Sequence, residues 1–155
     1  MAVRGGPQAT RWKRVGDGRW TAHGTPYGDV AAFGREHAAD GLIIYLEAAG
    51  DDAATICRNL HGLRLAGWFE HAKAILIGRT NAPGSQGLSQ REAVIDALGR
   101  LDLPIVFDLE IGRVPPHLPL VNGALATLTV DEGTRQIVQR GWASSRTTPP
   151  NHHPA

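Results

Sequence analysis

Three short apolar runs, separated by amphipathic segments, constrain the fold of this chain more than any other feature. The runs are LIIYLE at 42–47, KAILIG at 73–78 and LPIVFDL at 103–109. Each run is too short for a helix and is bounded by glycine or polar residues, which is typical of a strand buried on both faces. Strands that alternate with helical segments indicate a parallel sheet with helical crossovers, so the sequence predicts an α/β domain.

The segments around these strands carry helix signals. Asp52 stands where a helix N-terminus favours an acidic side chain, and an apolar stripe follows it at helical spacing. Ser89 and Glu92 form a capping-box pattern, which marks the start of another helix. An earlier segment has a proline in its first turn, as many helices do. The sequence therefore predicts helices over residues 25–39, 52–65 and 89–99.

Both ends of the domain have hairpin patterns. Near the start, Trp12 and Trp20 lie on short β-prone segments on either side of a Gly-Asp-Gly turn. Near the end, residues 124–130 and 135–138 flank a second glycine-containing turn. We expect these hairpins to extend or flank the parallel sheet. The predicted organisation is a flexible lead-in over 1–10, one domain over 11–142 and a disordered tail over 143–155.

Charged side chains follow the predicted strands at their carboxyl ends. Glu47 ends the first strand, Arg79 follows the second, and Glu110 follows the third. In open α/β sheets, ligands bind outside the carboxyl ends of the strands. The sequence therefore predicts a site at this edge, which includes the proline-rich loop over 110–122.

Composition narrows the choice of partners. The formal net charge is +1, from 16 Lys and Arg against 15 Asp and Glu, so neither nucleic acid nor a membrane is expected as a partner. Cys57 is the only cysteine, and we interpret it as a filler on a helix. No metal and no cofactor are predicted, since the histidines lack metal-ligand spacing; those considered are His23, His37, His61 and His71. The N-terminus lacks the apolar core of a secretory signal, so we expect a cytoplasmic protein.

Three longer segments together resemble a known family. They are IIYLEAA at 43–49, LRLAGWFEHAKAILIGRT at 63–80 and LPIVFDLEIGRVPPHLPLVNGALATLTV at 103–130. They closely resemble the C-terminal domain of the LD-carboxypeptidase family, the serine peptidases that include the microcin C immunity protein. The resemblance covers roughly residues 24–138. It implies a three-layer, swivelling-type α/β domain with a central, mainly parallel sheet flanked by helices, plus N- and C-terminal hairpins.

The resemblance also implies serine-type hydrolysis by a Ser-Glu-His triad that is split between two domains. Glu47 matches the catalytic glutamate, whose task is to fix the tautomer of the histidine and to stabilise its imidazolium form. The family histidine follows a glycine, and this chain has Arg113 after Gly112 at that place. A guanidinium stays protonated and has no lone pair to accept the proton of a serine. The catalytic base is therefore predicted to be absent.

Other residues near the predicted edge have two interpretations. Arg79 is a candidate substrate-binding residue, and the alternative is that it caps a strand. Asn122 is a second substrate-binding candidate, and the alternative is a structural turn with Gly123. His117 lies four residues after the position of the missing base, and we interpret it as a structural or surface residue. No serine lies in a turn that resembles the nucleophile elbow of the family.

These expectations favour one hypothesis over another. The chain is predicted to be the C-terminal half of a hydrolase that is inactive alone and needs a serine-bearing N-terminal domain as its partner. The implied substrate is a small peptide, cleaved at a terminal amide of a muropeptide or a peptide-nucleotide conjugate. The alternative is a non-catalytic binding module or the relic of a truncated gene. A homodimer is a further expectation, because an exposed docking face favours self-association.

Overall fold

Three α-helices and six β-strands lie in the part of the chain that the computed structural model describes, which is residues 2–7, 28–48, 50–85, 87–131 and 133–140. The helices are α1 (Val30–His37), α2 (Ala53–Leu65) and α3 (Gln90–Leu98). A short 3-10 turn, Gly99–Leu101, follows α3. The strands are β1 (Ala2–Pro7), β2 (Leu42–Leu46), β3 (Ala72–Gly78), β4 (Ile105–Leu109), β5 (Leu125–Val130) and β6 (Arg135–Arg140).

The three predicted apolar strands form one parallel sheet in the order β2-β3-β4. Helices α2 and α3 connect consecutive strands of this sheet, as the alternation of strand and helix predicts. Strand β3 is central, with β2 and β4 paired to its two edges, and its residues 74–78 are buried because both faces of the sheet are covered. The prediction of an α/β fold with a parallel sheet flanked by helices is confirmed.

Side-chain caps set the starts of the helices. The carboxylate of Asp52 accepts a hydrogen bond from the backbone N–H of Thr55, at 2.8 Å, and so begins α2. Ser89 and Glu92 form the predicted capping box, each accepting from the backbone N–H of the other. Helix α1 begins at Val30, later than predicted, because Asp29 supplies its N-cap. The predicted first turn at 25–27 lies outside the described residues.

Alternate side chains of the parallel sheet enter two separate hydrophobic clusters. Leu42, Ile44 and Leu46 pack with residues of all three helices. Ile43 faces the opposite way and packs with Ala126 and Leu128 of β5. This alternation follows from the two-residue repeat of a strand. The domain therefore has three layers, which are the helices, the parallel sheet and an antiparallel sheet.

The antiparallel sheet has the strand order β1-β5-β6. Strands β5 and β6 form the predicted C-terminal hairpin, with Thr127 opposite Val138. Strand β1 pairs with β5 in a segment for which the sequence predicts a flexible lead-in, and this part of that prediction is wrong. The lead-in has no long apolar run, and its pairing depends on a partner more than a hundred residues away. The predicted Trp12–Trp20 hairpin and the tail over 143–155 lie outside the described residues.

None of the described helices is long and apolar enough to cross a membrane. The longest of them, α2, has 13 residues, whereas a spanning helix needs about 20.

Candidate functional site

A β-bulge lies at the carboxyl end of β4 and turns the chain toward the site loop. Three residues of β4 oppose two of β3 here, because the register shifts between the pairs Leu76–Val106 and Gly78–Leu109. Asp108 takes up the extra residue with φ of 63°, a conformation that aspartate tolerates better than most side chains. The N–H of Arg79 then donates to the carbonyl of Leu109 at 2.9 Å, which holds the start of the loop against β3.

The loop after β4 passes directly over the side chain of Glu47. Gly112 has φ of 100°, and a Cβ atom at this residue would overlap Cγ of Glu47. Only glycine fits this approach, since any other residue adds a side chain at that point and strains the backbone. Residue 113, where the family histidine is expected, is therefore the immediate chain neighbour of a residue that contacts Glu47.

Glu47 is half-buried, and its Oε1 atom is enclosed. Among the described residues, no group hydrogen-bonds to this oxygen. A buried carboxylate oxygen is costly to leave without a donor, so Oε1 of Glu47 is an acceptor available to a donor outside the described residues. Arg113 does not fill that role: its side chain is exposed, and within the described ranges it forms no ion pair with Glu47.

Arg79 joins β3 to the site loop. One of its terminal nitrogens, Nη2, lies 3.1 Å from Oε1 of Glu110 and 3.5 Å from the carbonyl oxygen of Pro116. Its Nε atom is buried and has no hydrogen-bond partner in the described part of the chain. These contacts tie Arg79 to the site loop and leave one donor, Nε, that faces no acceptor among the described residues. A role in substrate binding stays a prediction.

Asn122 is brought back to the parallel sheet by a hydrogen bond from β2. The hydroxyl of Tyr45 donates to Oδ1 of Asn122 at 2.5 Å, across 77 positions of the chain. This contact explains how the far end of the loop is held, and it was not expected from the sequence. The polar tip of Tyr45 within an otherwise aliphatic strand was the only signal for it. His117 is exposed.

The predicted site residues Glu47 and Arg79 therefore each contact the loop after β4, at one edge of the parallel sheet. Glu47 contacts Gly112, next to Arg113, and Arg79 contacts Glu110 and Pro116. No hydrogen bond or ion pair joins Glu47 to Arg79 within the described ranges. Chemically, Glu47 can accept an N–H and stabilise a neighbouring positive charge, which is the task of the acidic member of a triad.

A further group of polar residues was missed at the sequence level. Cys57 and His61 lie four residues apart on α2, a spacing that puts both on one face of a helix. Asp96 of α3 lies beside them. The four-residue spacing was a usable signal, whereas the position of Asp96 depends on how the two helices pack.

Residues 21–128 match the family described as the LD-carboxypeptidase C-terminal domain. This match covers well over half of the 155 residues. A comparison with curated proteins finds no match.

Solved structures of longer proteins share the fold. A muramoyltetrapeptide carboxypeptidase from Oxalobacter formigenes superposes with a TM-score of 0.56 at 22% identity, over 63% of this chain and 35% of that protein. The microcin C7 self-immunity protein MccF, as an inactive mutant without ligand, gives a TM-score of 0.57 at 18% identity, over 64% of this chain and 30% of that protein. MccF in complex with aspartyl sulfamoyl adenosine gives 0.56, also at 18% identity, over 64% of this chain and 30% of that protein.

This chain spans about a third of the length of these proteins. Their likeness establishes the fold, and the sequence match establishes the family. The chain belongs to the LD-carboxypeptidase family and carries its C-terminal domain.

Proposed function

We propose that this domain supplies half of a serine-hydrolase site, with Glu47 as the acidic residue of a Ser-Glu-His triad and Arg113 at the position of the histidine. The serine would come from a separate N-terminal domain. With arginine at position 113, the domain does not support hydrolysis in its present form, because a guanidinium cannot accept the proton of the nucleophile.

The buried, unpartnered Oε1 of Glu47 carries this proposal. A glutamate with a purely structural role at a strand end would have both oxygens in hydrogen bonds or in water. An acceptor that is enclosed and unpaired fits a carboxylate made to hold an imidazole N–H. The contact of Gly112 with Glu47 supports the same interpretation, because it brings residue 113 to the neighbourhood of that acceptor.

The activity that we propose for the complete site is cleavage of a terminal amide in a small peptide. The substrate would be a muropeptide or a peptide-nucleotide conjugate, met in the cytoplasm during recycling of peptidoglycan fragments or in self-immunity. This proposal rests on family membership. The contacts that select a substrate would come from both domains, with Arg79 and Asn122 as the candidates from this one.

A set of exposed apolar side chains favours a docking role for the surface beside the loop. Leu125 and Val138 share one face of the β5–β6 hairpin, because Val138 pairs with Thr127, two residues along from Leu125. Leu118 and Val121 of the site loop are exposed as well. We propose that the serine-bearing domain covers this surface, with a binding module or a homodimer as the competing outcome.

A chimera tests the half-site. This domain would replace the C-terminal domain of a muramoyltetrapeptide carboxypeptidase, and release of the terminal amino acid from an LD-tetrapeptide would be measured. The chimera with Arg113 should be inactive, and R113H should gain at least about a hundredfold, the scale of a general base. The matched control is R113H with E47Q, which should lose most of that gain.

Three results would contradict the proposal. One is hydrolysis by the Arg113 chimera at the rate of R113H. Another is no gain from R113H in a chimera whose melting temperature and oligomeric state match those of the parent enzyme. The last is equal activity of R113H with and without E47Q, which would remove Glu47 from the site.

A binding experiment tests the docking surface. A separately produced serine-bearing domain should bind the wild-type domain and fail to bind V121D. Equal binding of the two, or a homodimer of this domain in its place, would reject that assignment.

A further inference from the structure

A cluster of three potential metal ligands lies between α2 and α3. Oδ2 of Asp96 is 3.4 Å from Sγ of Cys57 and 2.9 Å from Nε2 of His61. The three ligand atoms, one from each residue, all lie within 4.8 Å of one another. A sulfur, an imidazole nitrogen and a carboxylate oxygen therefore converge on one point from two different helices.

The two distances to Asp96 are close to the ligand separations of a tetrahedral zinc site. With Zn–S of about 2.3 Å and Zn–N and Zn–O of about 2.0–2.2 Å, tetrahedral ligands stand about 3.3–3.7 Å apart. The Cys57–Asp96 distance already falls in that range. The His61–Asp96 pair has to open by a few tenths of an ångström, which a small rotation of an exposed carboxylate achieves.

The surroundings suit a metal with an open coordination position. Cys57 and Asp96 line a surface pocket whose other walls are Gly87, Leu88, Glu92 and Ile95. Water can enter this pocket and occupy the fourth position around the ion. The ligands lie on α2 and α3, whose packed faces belong to the main hydrophobic cluster, so their backbones are held in place without the metal.

We propose that Cys57, His61 and Asp96 bind a Zn²⁺ ion that links α2 to α3. Mixed sulfur, imidazole and carboxylate donors suit zinc better than magnesium or calcium, which prefer oxygen ligands alone. The site is separate from the Glu47 site and shares no residue with it. The sequence predicts no metal. Cys57 and His61 lie four residues apart on α2, but the third ligand, Asp96, is at least 35 positions away and reaches them only through the packing of α3.

The same three residue types also occur in cysteine hydrolases, but the contacts here differ. In such a triad the thiol is activated by the imidazole, which a carboxylate orients. Here the thiol of Cys57 lies against the Asp96 carboxylate, and His61 contacts the same oxygen. Burial, together with the Asp96 carboxylate, raises the pKa of the Cys57 thiol, so the thiol is not a ready nucleophile.

Arg64 contacts His61 in a way that should weaken metal binding, and this contact provides a specific test of the proposal. Its Nη2 lies 3.2 Å from Nδ1 of His61. When Nε2 binds a metal, the ring proton moves to Nδ1, and a proton donor such as a guanidinium then faces another donor. Arg64 must therefore swing away before His61 can bind the ion. Replacing Arg64 with leucine removes this obstacle and should tighten binding.

The experiment uses the full chain with H152Q and H153Q, which removes two tail histidines that could bind metal adventitiously. Zinc affinity would be measured by competition with a chromogenic chelator under reducing conditions. Cobalt would be the spectroscopic probe, because a Co²⁺-thiolate bond gives a charge-transfer absorption and tetrahedral Co²⁺ gives strong visible bands. We expect one equivalent of Zn²⁺, a rise in melting temperature with zinc, and the cobalt-thiolate band.

Substitutions distinguish zinc binding by these three ligands from zinc binding by the overall negative charge of the pocket. C57S should lose the cobalt-thiolate band, and H61Q and D96N should each weaken zinc binding by at least about tenfold. R64L should bind more tightly than the parent, a gain that misfolding cannot produce. E92Q is the control, since it removes a carboxylate from the same pocket and leaves the three ligands intact.

Four outcomes would overturn the proposal. They are the absence of the cobalt-thiolate band in the parent, unchanged zinc affinity in C57S, equal losses in E92Q and D96N, and weaker binding in R64L. Equal losses in E92Q and D96N would mean that binding follows the negative charge of the pocket rather than these ligands.

Discussion

The backbone of Gly112 packs against the side chain of Glu47, so closely that a Cβ atom at residue 112 would overlap Cγ of the glutamate. Two segments that leave the parallel sheet at the same edge thus meet at a point where one of them has no side chain. One oxygen of Glu47 is enclosed, and residue 113 directly follows the glycine that contacts the Glu47 side chain. Glycine is required here twice, for its φ of 100° and for the space.

Replacing Gly112 with alanine should lower the free energy of unfolding by more than the cost of placing a non-glycine residue at positive φ. A non-glycine residue at positive φ costs about 1–3 kcal/mol, and the clash with Glu47 adds about 1–3 kcal/mol. G87A is the matched control, because Gly87 has φ of 83° and a Cβ atom there would meet no other atom within 4 Å. Urea denaturation would give both free energies of unfolding. Equal losses would show that the Glu47 contact carries no strain.

Leu63 and Leu65 of α2 should respond very differently to the same truncation. Leu63 is fully buried among the helices and the sheet, whereas Leu65 is 84% exposed. L63A should lower the free energy of unfolding by about 2–5 kcal/mol, and L65A should change it by no more than about 0.5 kcal/mol. Thermal or chemical denaturation of the two variants measures this difference. A comparable loss in L65A would indicate that its side chain is covered by a partner or another copy.

The capping box of α3 should make stability depend on pH. The backbone N–H of Ser89, and then its hydroxyl, lowers the pKa of Glu92 below the ordinary value of 4.5. Because the folded pKa is the lower one, the stabilisation is fully present above pH 4.5 and is lost as the pH falls through the folded value. E92Q keeps an acceptor but cannot titrate. The difference in unfolding free energy between wild type and E92Q should therefore shrink on acidification.

A comparison in the S89A background controls for other titrating groups. Removing the hydroxyl should reduce the pH-dependent difference without abolishing it, since the backbone N–H of residue 89 remains. A difference between wild type and E92Q that stays constant from pH 7 to about pH 3 would contradict the assignment.

Loss of the Arg79 side chain should increase local opening of the site loop more than it lowers the free energy of unfolding of the whole domain. Its guanidinium contacts Glu110 and the carbonyl of Pro116. R79A should accelerate amide hydrogen exchange at Leu118, whose N–H donates to the Glu110 carbonyl. E110Q should have a smaller effect, because Arg79 still reaches Pro116, and it should cost less than about 1 kcal/mol overall. Equal exchange rates in wild type and R79A would mean that the loop is held by other contacts.

Local chemistry made much of the fold predictable. The three parallel strands were recognisable because apolar runs of this length favour strands buried on both faces. The start of α2 at Asp52 and the capping box at Ser89 involve partners three residues apart, which the sequence displays directly. The prediction failed at β1, whose residues carry no strand signal of their own and pair with β5 far along the chain.

The sequence by itself determined the strand-helix order, the position of Glu47 at a strand end and the presence of Arg113 directly after Gly112. Only the tertiary structure decided that Gly112 lies on Glu47, that Tyr45 holds Asn122, and that Asp96 completes a cluster with Cys57 and His61. The physical reason is the range of the interactions. Periodicity and caps act over a few residues, whereas these contacts join positions 35 to 77 apart and exist only after the layers have packed.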